Sequence, residues 1–308
     1  MTQPLVDEVA TGSGLGPDRP VEPVPGPDTR RAFPLRRVLR FLGRRPGLVA
    51  SVLVVVSAVL AAFRPGLFTS QDPLHGVPSR NFRSPSGEHW FGTDELGRDL
   101  FSRVVHGAQL SLKATLIAVA VAFVVGGLLG LVAGYVGRWV DGVLMRFVDV
   151  LLSIPALFLS LALVTALGYG TVKVAVAVGV ASVAGFARVT RAEVLRVRQA
   201  VFVEASRASG ARWYSVLGRH VLPNAAGPVI VLATLELGTS ILSVSALSFL
   251  GYGAPPPAPE WGTLISEGRN YLANAWWLTA LPGLVIASTV LAANRVARAL
   301  DGEWSRRR

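Results

Sequence analysis

Cysteine is absent from the 308 residues. Disulfides, thiol nucleophiles and thiolate metal sites are therefore excluded. Lysine is nearly absent: only Lys113, after Leu112, and Lys173, after Val172, occur. A phosphate-binding P-loop needs Gly-Lys-Ser/Thr, and neither lysine can supply it. The chain does not bind ATP that way. Histidine is scarce and scattered (His75, His89, His106, His220), with no HxxxH or HExxH spacing. No metal ligand, catalytic residue or cofactor motif is therefore nominated. Charge is also scarce, at 16% of residues against 51% hydrophobic, too little for an ordinary soluble domain.

The apolar residues are gathered into runs. No charge falls between Arg45 and Arg64, Lys113 and Arg138, Asp149 and Lys173, or Arg269 and Arg295. Each gap is about long enough to cross ~30 Å of hydrocarbon as a helix. Two further spans run over about 167–187, with Lys173 near one end, and about 226–248, with Glu236 inside. The reading is an all-α membrane protein with six transmembrane helices. The net charge of +11 sits beside the spans and not in a basic domain with stacking aromatics, so nucleic acid is not an expected partner. With the residues before the first span on the cytoplasmic side, 22 basic residues lie on that side and 8 on the other. That is the bias of the positive-inside rule. An even number of spans then places both termini in the cytoplasm. The start of the chain lacks the form of a cleavable signal, because the first apolar run comes far from Met1.

Residues 1–29 are rich in Pro, Gly and Asp and read as disordered. Residues 30–45 are basic, and serve either as an orientation signal or as a contact for anionic lipid. In 91–112, "FGTDELGRDLFSRVVHGAQLSL", Thr93 is expected to cap a helix, with Asp94 and Glu95 at its positive end. Leu96, Leu100, Phe101, Val104 and Val105 recur at helical spacing. The expectation is an amphipathic helix on the outer surface leading into span two. Gly126, Gly130 and Gly134 clear one face of that span for close packing against another helix. Arg146 and Asp149, three apart, can pair. Pro155 should kink span three, as a pathway feature or a structural one. Glu236 is an intramembrane carboxylate, by default a functional candidate. It can face a polar cavity and touch substrate, pair with a neighbouring subunit, or sit protonated against Thr239.

Span four is expected to end near Gly185, followed by a basic helical segment over 188–224. Val194, Val197, Val201, Ala205 and Ala208 form a candidate apolar stripe. Gly210 can take the left-handed conformation that ends a helix. A second short helix over Arg212–Arg219 should stop at Leu222-Pro223. Such a knob suits a groove on another protein, or packs on its own bundle.

The spacing Glu204-Ala205-Ser206, Gly210, Leu222-Pro223 resembles the "EAA" loop of permease subunits of bacterial ABC importers. Ser206 stands for the second alanine and His220 for the isoleucine of that pattern. "FGTDELGRDLFSRVVHGAQLSL", "GRWVDGVLMRFVDVLLSIPALFL" and "LSFLGYGAPPPAPEWGTLISEGRNYL" are similar to the dipeptide/oligopeptide/nickel group, C-type subunit, over about 35–300. Val244 departs from the many relatives that carry a carboxylate there; Glu236 lies about two turns earlier on a similar face. The resemblance implies a type I ABC-importer permease fold in the bacterial inner membrane. It divides the chain into a tail (1–34), a first helix with its outer loop (35–108), a permease domain (109–298, coupling loop 188–224) and a short tail (299–308). It implies that Glu204, Ala205, Ser206, Gly210, Trp213, Leu217, Leu222 and Pro223 couple the chain to an ATPase, with Glu236 and Pro155 candidates for the pathway. The implied partners are a paralogous permease, two cytoplasmic ATPase subunits, an external substrate-binding protein and membrane lipid. The implied cargo is a di- or oligopeptide, with nickel or another small solute as the alternative. On the residues alone, a secondary transporter or a membrane adaptor also stands open.

Overall fold

The computed structural model describes residues 46–305, and side-chain surroundings as far as residue 299. The expected tail, the whole of the basic stretch 30–45 and the last three residues lie outside it. Among the described residues every regular element is helical. Helix α1 (Pro46–Phe63) begins where the basic stretch ends and carries no charge. It packs on α2 (Leu100–Val121) and α11 (Trp277–Ser305).

Helix α2 continues through a π-helical turn, Ala122–Gly126, into α3 (Gly127–Val136), forming one rod. After Gly137 come α4 (Arg138–Ser153) and α5 (Ala156–Leu167). Between them Ile154 is extended, as a residue before proline prefers, and the axes bend by 94°. The kink expected at Pro155 is therefore a break. Helix α6 (Thr171–Arg198) follows as one uninterrupted helix.

The glycine stripe of α2–α3 faces α6. A Cβ on Gly126 would lie 2.5 Å from Val183 O and 2.6 Å from Phe186 Cβ; on Gly130, 2.7 Å from Thr190 Cβ; on Gly134, 2.9 Å from Val194 Cβ. Across the seam Gly179 of α6 meets Val121, where a Cβ would come within 2.8 Å of Val121 Cβ. The numbers rise together along both helices, so α2–α3 and α6 run parallel. Parallel neighbours require the chain between them to return across the same thickness, ~35 Å at 1.5 Å per residue. Only the bent pair α4–α5 can make that crossing. Among the described residues five helices are long and apolar enough to span, and six when this bent pair is taken as one span.

The helix of span four carries on without interruption past Gly185 into the basic segment. A Cβ on Gly185 would meet nothing within 4 Å, and α6 runs on to Arg198. Its polar end is held from the side: Arg188 donates to Asp149 (2.6 Å) and Arg191 grips Asp141 with two nitrogens. Asp149 thus pairs across to α6 and not along its own helix with Arg146.

Residues 93–99 do not begin a helix. The Asp94 carboxylate accepts from Leu96 N and Arg98 N (both 2.9 Å), and Gly97 sits at φ 72°. That side chain competes for the amides a helix would use, and the positive φ suits glycine. The cap is Asp99, which accepts from Ser102 N at 2.7 Å. From Leu100 the helix enters the bundle directly, so Leu100, Val104 and Val105 lie in a core with Trp261, Leu264 and Trp277, not on a membrane surface. Charges close this end. Arg103, 1% exposed, bridges Asp94 (2.8 Å) and Glu267 (2.9 Å), and Arg98 adds a second bond to Asp94 at 2.6 Å. Burial pushes the Glu95 carboxyl at this end above the usual carboxylate range.

Candidate functional site

The other end of the bundle carries the segment singled out by its spacing. Helix α6 stops at Arg198, and α7 (Val201–Ala208) starts after Gln199-Ala200. Gly210 N–H donates to Arg207 O (3.0 Å) and Ala211 N–H to Ser206 O (3.2 Å). These are the two bonds of a Schellman motif, with the left-handed residue, Gly210 at φ 79°, just past the helix. The chain then turns into α8 (Trp213–Val216), a π-helical turn (Leu217–Val221) and α9 (Leu222–Phe249). The helix therefore does not stop at Leu222-Pro223. Pro223 sits in the first turn of α9, where a missing N–H is tolerated, and the π turn before it absorbs the mismatch.

The apolar stripe expected along this segment is half right. Val194 and Val197 are buried, but Val201, Ala205 and Ala208 are exposed. The break at Gln199-Ala200 shifts the helical phase, so the buried side chain of α7 is Val203, at 0% exposure. It joins Val194, Val197, Val216 and Val221 in a small core, with Tyr135 of α3 packed against it. Pattern reading missed Val203 because it assumed one continuous helix.

Glu204 and Ala205 are exposed, Ser206 and Leu217 half-buried, and Leu222 and Pro223 exposed. Beside them Val201 (82%), Trp213 (66%), Tyr214 (52%) and Phe202 (47%) stand open. The result is a short helix anchored underneath by one valine, with an apolar rim and one carboxylate facing away from the bundle.

Glu236 is not brought to this segment. It lies in α9, half-buried, and accepts from Ser182 Oγ of α6 at 2.7 Å. Its bond to α6 replaces the contact with the Thr239 side chain; that hydroxyl donates to the Glu236 carbonyl instead. Pro155 lies exposed at the α4–α5 break. Val244 is buried among Ala114, Val178 and Leu247. Sequence reading passed over Glu260, which is 1% exposed and accepts from Ser248 Oγ (2.8 Å), Ala254 N (2.7 Å) and Thr171 Oγ1 (3.2 Å). It ties α6, α9 and α10 (Trp261–Gly268) together at the loop end. The only available signal was its place in a proline-rich run, and proline gives no hint of a buried carboxylate.

Comparison with known proteins sets this geometry in a family. Residues 126–306 match the family described as binding-protein-dependent transport system inner membrane component. The dipeptide transport system permease protein DppC of Alkalihalophilus pseudofirmus is 37% identical over 91% of this chain and 92% of its own. The glutathione transport system permease protein GsiD of Pectobacterium atrosepticum is 37% identical over 83% and 85%. Among solved structures, the inward-facing MetNI methionine ABC transporter aligns with a TM-score of 0.52 at 21% identity, over 64% of this chain and 96% of that one. An amino acid ABC transporter solved with histidines gives 0.52 at 16% identity, over 66% and 94%. At those identities the structures establish the fold: an all-α ABC-importer permease. A multi-pass bundle with no P-loop, a family match over more than half its length and relatives aligned nearly end to end lead to one assignment: the chain belongs to the binding-protein-dependent ABC-transporter permeases, inner-membrane subunits that rely on a separate ATPase and a binding protein.

Proposed function

We propose that this chain is one of two paralogous permease subunits of an importer for di- or oligopeptides, and that α7 with its Gly210 turn docks in a cleft of a cytoplasmic ATPase. The observation that carries the reading is the form of α7: a helix of eight residues, closed by a Schellman turn, pinned through Val203 and rimmed by the exposed Val201, Phe202, Trp213 and Tyr214. An apolar rim that large on a surface end calls for a protein partner. The bias of basic residues puts this end in the cytoplasm, and the 64–99 loop with α10 then faces the binding protein. ATP closing two ATPase subunits would move α7 as a lever and switch the bundle between inward- and outward-facing states. Peptide is favoured as cargo by the dipeptide relatives, with glutathione the competitor to be tested.

The test is reconstitution of the chain with its partner permease, ATPases and binding protein in vesicles. Labelled dipeptide should enter only with ATP, and Glu204→Lys or Gly210→Val should abolish uptake while the protein still inserts. Uptake driven by a proton gradient without the ATPases would overturn the reading in favour of a secondary transporter. Intact uptake with loss of one bound protein would favour an adaptor.

A further inference from the structure

The carbonyls in the last turn of a helix have no partner within that helix. At the end of α3 those of Gly134 and Tyr135 are taken by a single side chain, Arg198, at 3.3 and 2.9 Å. Arg198 is the last residue of α6, so it stands where the chain leaves for α7. From the same turn of α3 the Tyr135 phenol donates to Trp213 O at 2.8 Å. Trp213 opens α8, where the chain returns from α7. Both stalks of α7 are therefore fastened to one turn of α3. Between them Val203 is buried in the core against which the Tyr135 ring packs.

We infer that Tyr135 and Arg198 are positioning residues: they clamp the two stalks of α7 to the end of the α2–α3 rod, so that displacement of α7 is passed to that rod. The inference rests on the proposed docking of α7 and adds the route by which its motion leaves. Without the clamps α7 retains its outer face, and the ATPase still binds it. The lever then turns without drawing α3 along, so ATP is spent with less peptide moved.

Tyr135→Phe removes only a hydroxyl and keeps the ring in the core; Arg198→Gln removes the bonds to both carbonyls, and Arg198→Lys keeps one charged donor. A hydrogen bond contributes roughly 1 kcal/mol net, about a fivefold change in an equilibrium. The phenol bond is solvent-exposed, so the expected loss of peptide carried per ATP hydrolysed is about threefold for Tyr135→Phe and about tenfold for the double variant Tyr135→Phe/Arg198→Gln. Arg198→Lys should restore part of it, and binding of the ATPase subunits should be unchanged. The chain has no native cysteine, so spin labels at Val136→Cys and Ala208→Cys report the α3–α7 distance directly. That distribution should be narrow in the parent and broad in the double variant. Wild-type peptide per ATP in Tyr135→Phe and in the double variant would overturn the inference, as would a parallel fall of uptake and hydrolysis with an unchanged distance distribution. Should Arg198→Gln fail to insert, Tyr135→Phe decides alone. Absence of ATP-driven uptake in the parent complex would instead sink the proposed function and leave the clamp to be judged by the label distances.

Discussion

Single residues carry the tightest demands at the glycine seam and at Arg103. A methyl on Gly130 would strike the Ala187 carbonyl and lie 2.9 Å from Arg191 N, both backbone atoms of α6. Its neighbour Gly127 has nothing within 4 Å of its would-be Cβ. Gly130→Ala should therefore lower the midpoint of thermal unfolding in detergent, by about 1–3 kcal/mol of stability for an overpacked site. Gly127→Ala should leave the midpoint unchanged or raise it, since alanine is the better helix former. Arg103 neutralises Asp94 and Glu267 while its Nε and Nη2 find no partner. Arg103→Met takes away one of the two buried cations, leaving Arg98 alone to face Asp94 and Glu267, and should cost about 3 kcal/mol, the low end for breaking a buried pair. Adding Glu267→Gln, which removes the carboxylate that Arg103 alone holds at bonding distance, should recover part of that, measured in the same melts.

Elements differ in how plainly the sequence announced them. The spans were readable because charge-free runs and glycine spacing are set by the membrane and by one helix touching another, and both leave a mark on composition. The ends were not. Asp99, and not Thr93, caps α2 because Asp94 spends its carboxylate on a turn. Helix α6 runs unbroken from the apolar span into the basic segment, its polar end held by arginines that pair with aspartates on the facing helix, which a linear pattern does not reveal. The segment over 188–224 was legible at Gly210, where a positive φ admits little else, and misread at Val201, where a two-residue break turned the helix. Gly210→Val should strain the turn by about 1–2 kcal/mol. Amide exchange should quicken at Gly210 and Ala211, whose N–H groups make the two capping bonds, while exchange in α6 stays slow.

On the scale of the whole molecule, the bundle is knotted at both ends. At one, Glu260 gathers three donors and Trp261 reaches Val104 O (2.9 Å) and Ser111 Oγ (3.1 Å). At the other, α7 and α8 share a valine core with α3 and α6. Glu260→Ala strands those donors and should destabilise by about 1–3 kcal/mol. Glu260→Gln, which keeps one acceptor oxygen, should fall between it and the parent in the same unfolding assay. What joins the knots is the seam of α2–α3 and α6, where one backbone lies almost on another on both sides of the π turn. Two shafts in such contact have no side-chain cushion between them to compress. A push delivered at the foot should emerge at the head, ~35 Å away, with its length and direction preserved.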